Sequence, residues 1–322
     1  MRRASWLLFV LLCWLGPARA ATPAEIEFAS AHALVVDAAT GKVLLAKETT
    51  TAVPIASLTK LLTAMVVLDA RQPAGEALRI TDADVDRLKH TRSGVPVGTV
   101  VARATLLELA LVASDNRAAS ALARHHRGGI EGFRKAMQRK IRALGLKATA
   151  IEEPTGLSPA NVASADDMGR VLRAAARYPE LARISSQPVF ATTVAGRPWE
   201  VRNTNGLIGA PGWSVLLSKT GYTREAGLCL SMLLRVGERL VNVVLLGAPN
   251  AADRALDVLN VSNWLSGRPV VARAVPPVEP AAPPAGQAAA PLSPTDLAEG
   301  GDIAAAPAIT PAPVATEDES PQ

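Results

Sequence analysis

Apolar residues change their spacing twice along this chain, dividing it into strand-like, helical and strand-like regions. Ala33-Leu34-Val35-Val36-Asp37 and Val43-Leu44-Leu45-Ala46-Lys47 are short apolar runs around Ala39-Thr40-Gly41, which predicts a hairpin. The middle of the chain then takes helical spacing. Leu58 to Asp69, Leu106 to Val112 and Ala118 to Ala123 are rich in good helix formers. Phe133 to Leu144 reads as a helix that stops at Gly145. Ser164-Ala165-Asp166-Asp167 has an N-cap residue with an acid three positions on, and predicts a helix over Met168 to Arg177. Strand spacing returns in Leu228 to Leu234 and Leu240 to Leu246, around a turn at Val236-Gly237-Glu238-Arg239. Ala251 to Leu265 closes the pattern as a helix. Strands from both ends with helices between them predict an α+β fold. An antiparallel sheet is assembled from N- and C-terminal segments and carries a helical insertion.

The two ends stand apart from this pattern. Arg2 and Arg3 precede an apolar run from Trp6 to Leu15, too short to span a bilayer. Ala18-Arg19-Ala20 is a small-x-small site, so residues 1–20 read as an export signal and the exported chain would begin at Ala21. An uncleaved N-terminal anchor is the alternative. Half of the 24 prolines lie from Pro269 onward, among Ala, Gly, Ser and Thr. Residues 269–322 therefore read as a disordered tail, since such composition buries little apolar surface. The tail is acidic, whereas the whole chain has a net charge of +5, so residues 21–268 are a basic body. A basic body attracts acidic polymers or simply stays soluble. Aromatics make up only 3% of the chain and no basic helix stands out, which argues against a nucleic-acid partner. Cys13 would leave with the signal, so Cys229 remains alone and no internal disulfide forms. Its apolar neighbours Leu228 and Leu230 point to a buried small hydrophobe.

Three short words carry the chemistry: Ser57-Leu58-Thr59-Lys60, Ser114-Asp115-Asn116 and Lys219-Thr220-Gly221. Their order is that of serine enzymes using S-x-x-K, S-D-N and K-T-G. Ser57 and Lys60, three apart, would share a helix face. A serine hydroxyl needs a base to become nucleophilic, and a lysine serves as that base only when neutral. Burial lowers a lysine pKa, and Lys219 could add a neighbouring positive charge. Pro54 favours a turn into the helix, placing Ser57 near the N–H groups of its first turn. Ser114 could relay a proton to a leaving amine, and Asn116 could hold a substrate amide or Lys60. Asp115 is assigned to loop architecture. Lys219 and Thr220 could grip a carboxylate just before a strand, with Gly221 letting the backbone approach a ligand. The N–H groups of Tyr222 and Ser57 could form an oxyanion hole. Taken singly, each word also fits an amphipathic helix, a helix cap or a turn.

Competing chemistries leave little trace. There is no G-x-S-x-G elbow and no Gly-rich phosphate loop. His32, His90, His125 and His126 form no H-E-x-x-H or H-x-H, and the His125-His126 pair reads as an exposed helix end rather than a metal site.

With these words in place, the chain resembles the penicillin-recognising serine D-Ala-D-Ala peptidases from about Ala33 to Leu265. Finer strings match the penicillin-binding protein 7 type, the D-alanyl-D-alanine endopeptidases. They are Ala56 to Met65, Ser114 to Ala119, Glu153-Pro154-Thr155-Gly156-Leu157-Ser158, Arg202-Asn203-Thr204-Asn205 and Lys219 to Thr223. The resemblance implies a β-lactamase/DD-peptidase-like fold and an acyl-enzyme on Ser57, with Lys60 as general base and Ser114 as proton relay. Lys219 and Thr220 would hold the substrate carboxylate. It also implies peptidoglycan stem peptides as substrate, β-lactams as covalent inhibitors, a periplasmic location, no cofactor or metal, and no membrane anchor once the signal is cleaved. A carboxypeptidase preference stays open. So do a class A-like β-lactamase, with Glu152 or Glu153 as candidate base, and a non-catalytic wall-binding or antibiotic-sensing domain. Glu153 is taken as a structural loop residue, because Glu153-Pro154-Thr155-Gly156-Leu157 carries an extra glycine and lacks an asparagine after the leucine.

Overall fold

The computed structural model describes residues 26–273. The predicted signal segment and residues 274–322 of the predicted tail lie outside the described residues.

The N-terminal hairpin forms as expected from β1 (His32–Asp37) and β2 (Val43–Lys47). Asp37 fastens its turn by accepting from the N–H groups of Ala39 and Thr40 and from the Thr40 hydroxyl. A two-residue strand, β3 (Val53–Pro54), leads through a 3-10 turn at Ala56–Leu58 into α1 (Thr59–Asp69). A second ribbon, β4 (Ala77–Arg79) with β5 (Val100–Ala102), precedes α2 (Arg103–Val112) and α3 (Asn116–Arg124). Next come α4 (Gly129–Ala143), β6 (Val162–Ala163), which pairs with β3, then α5 (Ala165–Ala175) and α6 (Pro179–Ser185). The hairpin β7 (Val189–Val194) and β8 (Arg197–Arg202) follows. Three long strands, β9 (Ser214–Thr223), β10 (Gly227–Val236) and β11 (Arg239–Ala248), precede α7 (Ala251–Leu265).

The main sheet runs β2-β1-β11-β10-β9, antiparallel throughout. Chain ends thus pair in its middle, with β9 at one edge. The central strands read as near-continuous apolar runs because both faces are covered. On β11, Val241, Val243 and Leu245 face a core completed by Val258 and Val261 of α7, while Val244 and Leu246 face the helical layer. Every residue of α1 from Thr59 to Val67 is buried, so this helix is a core element of that layer.

Some boundaries differ from the pattern reading. The helix assigned to 133–144 begins at Gly129, and the helix capped by Ser164 begins at Ala165 and ends at Ala175. The cap itself is present: Ser164 Oγ accepts from Asp167 N. Cys229 is fully buried on the helical side of β10. Burial pushes its thiol pKa up to about 11.

Candidate active site

Ser57 lies in the 3-10 turn one residue before the N-cap of α1. The turn is held by neighbours rather than by its own sequence. Ala56 has φ +46°, a conformation costly for a residue with a Cβ. Two glycines press on it. A Cβ at Gly156 would lie 1.9 Å from the Ala56 carbonyl oxygen, and one at Gly221 would lie 3.0 Å from Ser57 N. The close approach expected of Gly221 is therefore made to the Ser57 turn, within the protein itself.

Lys60 follows on the first turn of α1 and is 1% exposed. Its Nζ donates to Ser57 Oγ at 2.8 Å, Asn116 Oδ1 at 2.6 Å and the Thr155 carbonyl at 2.7 Å. All three donor directions of the ammonium are thereby used. Asn116 opens α3, and its Nδ2 donates to Thr91 Oγ1 at 2.8 Å. Asp115 caps the same helix through Ala118 N and accepts from Ser93 Oγ. Ser114, between α2 and α3, has φ +59°.

Lys219, Thr220 and Gly221 lie inside β9, not ahead of a strand as the pattern implied. Their polar side chains interrupt the apolar run by which β9 would have been recognised. Lys219 is 1% exposed, and its Nζ donates to Ser114 Oγ at 2.8 Å and to the Thr220 carbonyl at 3.0 Å. Thr220 Oγ1 donates to Thr204 Oγ1 at 2.6 Å. The Tyr222 side chain is 66% exposed, so the backbone is what this residue can offer the site.

Burial brings the Lys60 pKa down to about 8, against the opposing pull of Glu153, Asp115 and Asp86. Burial first, and then the charge on Lys60, hold Lys219 well below the ordinary lysine value.

Glu153 is fully engaged in its own loop. Its carboxylate accepts from the N–H groups of Thr155, Gly156, Leu157 and Ser158, from the Thr155 hydroxyl and from Asn161 Nδ2. This clamp fixes the Thr155 carbonyl under Lys60 and Gly156 against Ser57. Thr91, Thr155, Asn161 and Thr204 had no assigned roles in the sequence reading. Thr155 and Thr204 belong to strings that carried the family resemblance, but a backbone carbonyl acceptor leaves no letter of its own. His125 closes α3 as its C-terminal cap, and among the described residues no group of three or more His, Cys, Asp or Glu could hold a metal ion.

A serine hydroxyl beside one buried amine, with a second buried amine bonded to another serine, is an arrangement capable of acyl transfer. The chain is 43% identical over 260 residues to a D-alanyl-D-alanine endopeptidase of Pseudomonas aeruginosa, covering 80% of this chain and 83% of that protein. It is 37% identical over 250 residues to a D-alanyl-D-alanine endopeptidase of Escherichia coli, covering 77% and 81%. In fold it is similar to the crystal structure of the Streptomyces K15 DD-transpeptidase, with a TM-score of 0.69, 23% identity, and coverage of 76% of this chain and 99% of that one. The profile of the peptidase S11 family, described as D-alanyl-D-alanine carboxypeptidase, matches residues 18–250, and the chain belongs to that family.

Proposed function

We propose that this chain is a serine D-alanyl-D-alanine endopeptidase that cuts peptidoglycan cross-links through an acyl-enzyme on Ser57. The observation that carries the reading is the contact of Lys60 Nζ with Ser57 Oγ at 2.8 Å, in a site where burial lowers the lysine pKa to about 8. Neutral Lys60 takes the Ser57 proton as Oγ attacks the carbonyl of the penultimate D-alanine. The developing oxyanion is met by the N–H groups of Ser57 and Tyr222. The proton passes through Ser114 to the leaving amine as the amide bond breaks, and water then releases the acyl group. The substrate carboxylate sits at Lys219 and Thr220. Its arrival supplies the countercharge that Lys219 lacks and favours a proton there. A charged Lys219 in turn favours the neutral amine at Lys60 that the reaction needs.

The endopeptidase preference follows the two relatives of that name. Export past residues 1–20, a catalytic body over 21–268, a tail over 269–322 and a periplasmic location complete the reading. Among the described residues no helix is long and apolar enough to cross a membrane. The extensive internal bonding of Glu153 speaks against its use as a deacylating base of the class A β-lactamase kind. Brief exposure to benzylpenicillin followed by intact-protein mass spectrometry tests the chemistry: a persistent adduct is expected, absent in Ser57→Ala. Rapid return to unmodified mass would favour the lactamase. Product analysis on a cross-linked muropeptide and a monomeric pentapeptide tests the preference, and exclusive release of terminal D-alanine would favour the carboxypeptidase. A protein that bound peptidoglycan but left both substrates uncut, unaltered by Ser57→Ala, would be the non-catalytic binding domain.

A further inference from the structure

Among the contacts between the helical half of the molecule and the edge strand β9 with its turn, two are made by lysine ammonium groups. One lies within the catalytic set, Lys219 to Ser114. The other does not: Lys89 Nζ lies 2.5 Å from Glu225 Oε1. These residues are 136 positions apart in sequence. Lys89 belongs to the loop between β4 and β5, and Glu225 to the turn between β9 and β10.

The Lys89 loop is anchored to the site. Asp86 accepts from the N–H groups of Leu88 at 2.8 Å, Lys89 at 3.1 Å and Thr91 at 2.8 Å, and from Thr91 Oγ1 at 2.7 Å. The same Thr91 hydroxyl accepts from Asn116, and Ser93 holds Asp115. His90 is kept at φ +55° within this loop. The loop that carries Lys89 is therefore tethered to the N-terminus of α3. On the other side, Thr223 Oγ1 accepts from Ala226 N and braces the turn that carries Glu225. The lysine holds the Glu225 carboxyl down to a pKa of about 2.

The proposed function gives the cleft a direction. With the leaving-group carboxylate at Lys219 and Thr220 and the scissile carbonyl at Tyr222, the acyl chain continues past Tyr222 toward Glu225. Only Thr223 and Arg224 lie between them and the chain turns after Thr223, so the distance is less than the roughly 10 Å of three extended steps. A short acyl group ends within that distance, whereas a stem peptide of several residues continues beyond it. We propose that the Lys89–Glu225 ion pair is a strap across the acyl-donor end of the cleft, which a long acyl chain must open and a short one never meets. The assignment rests on the serine-peptidase reading and makes these two residues determinants of acyl-chain length. Both side chains are partly exposed, and pairs of this kind are weak and screened by salt. A cavity of about 310 Å3 lined by Asp86, Arg87, Leu88, Asn116 and Thr155 lies beside the loop.

The test uses the exported chain with Glu225→Gln, Lys89→Gln and the double charge swap Lys89→Glu/Glu225→Lys. The probes are benzylpenicillin and two synthetic donors ending in D-Ala-D-Ala, one with a single acyl residue and one with a full stem peptide. Each single variant should raise kcat/KM for the long donor about three- to fivefold, with penicillin acylation within twofold of the parent. The charge swap should return the long donor to within twofold of the parent. On the unmodified protein, raising ionic strength should increase turnover of the long donor relative to the short one. An unchanged or lowered long-to-short ratio in the single variants, or a charge swap that behaves like them, overturns the strap. A parent that forms no penicillin adduct sinks the underlying reading and the strap with it. A parent that forms the adduct but shows no salt-dependent length preference sinks the strap alone.

Discussion

Gly156 meets the peptide before Ser57 so closely that a Cβ there would lie 1.9 Å from the Ala56 carbonyl oxygen and 2.9 Å from Ser57 N. Gly156 also has φ +89°, where alanine is strained. Gly156→Ala should therefore lower the unfolding free energy by about 2–4 kcal/mol and slow penicillin acylation at least a hundredfold. Gly221→Ala, whose Cβ would meet its nearest neighbours at 3.0–3.1 Å, should cost less than Gly156→Ala in both measurements. Denaturant titration and stopped-flow acylation check the pair of values; equal effects would contradict the geometry.

Lys60 sets a pH dependence whose direction can be worked out. The neutral amine is the working form, so acylation should rise with pH through a midpoint near 8. Lys60→Arg should abolish that limb along with nearly all acylation. Stability moves in the same direction. The lowered folded pKa means that the unfolded chain holds a proton the folded one lacks between about pH 8 and the ordinary lysine value of 10.5. The parent should thus gain stability relative to Lys60→Met across that window, by about 3 kcal/mol. Thermal unfolding of both proteins at pH 7 and pH 10.5 reads the difference.

Glu153→Gln should reduce acylation and deacylation together, because the clamp positions both the Thr155 carbonyl and Gly156. Selective loss of deacylation, with the acyl-enzyme accumulating faster than in the parent, would instead assign Glu153 the role of a water-activating base. Burst and steady-state phases on a chromogenic β-lactam distinguish the two outcomes.

Lys219→Ala should slow acylation by benzylpenicillin about a hundredfold while hardly affecting its methyl ester, which has no carboxylate to grip. The parent's preference for the acid over the ester should then shrink to a few-fold. A variant that slows both equally would place Lys219 outside carboxylate recognition.

The hairpin at 33–47 and the strands around 236–239 were legible because apolar runs bounded by turn residues have few other uses. β8 escaped because Arg197, Glu200 and Arg202 interleave charges with its apolar positions, and its partner β7 went unassigned with it. The ribbons β3–β6 and β4–β5 are only two or three residues per strand, too short to show a period. In the site, Ser57, Lys60, Ser114, Asn116 and Lys219 stand out in the sequence as motif words. The Glu153 clamp and the Thr155 carbonyl do not, since main-chain contacts are decided by loop shape. The depth at which Lys60 and Lys219 are buried, which lowers the pKa of both amines, was also hidden, because it depends on how the helices pack on the sheet.

The turn bearing Ser57 lies against the outermost strand of the sheet, where Gly221 meets Ser57 N. Unguarded sheet edges invite pairing between molecules. The Ser57 turn and α6 both cover that edge, so lesions that strip the turn from β9 should surface as self-association as well as inactivity.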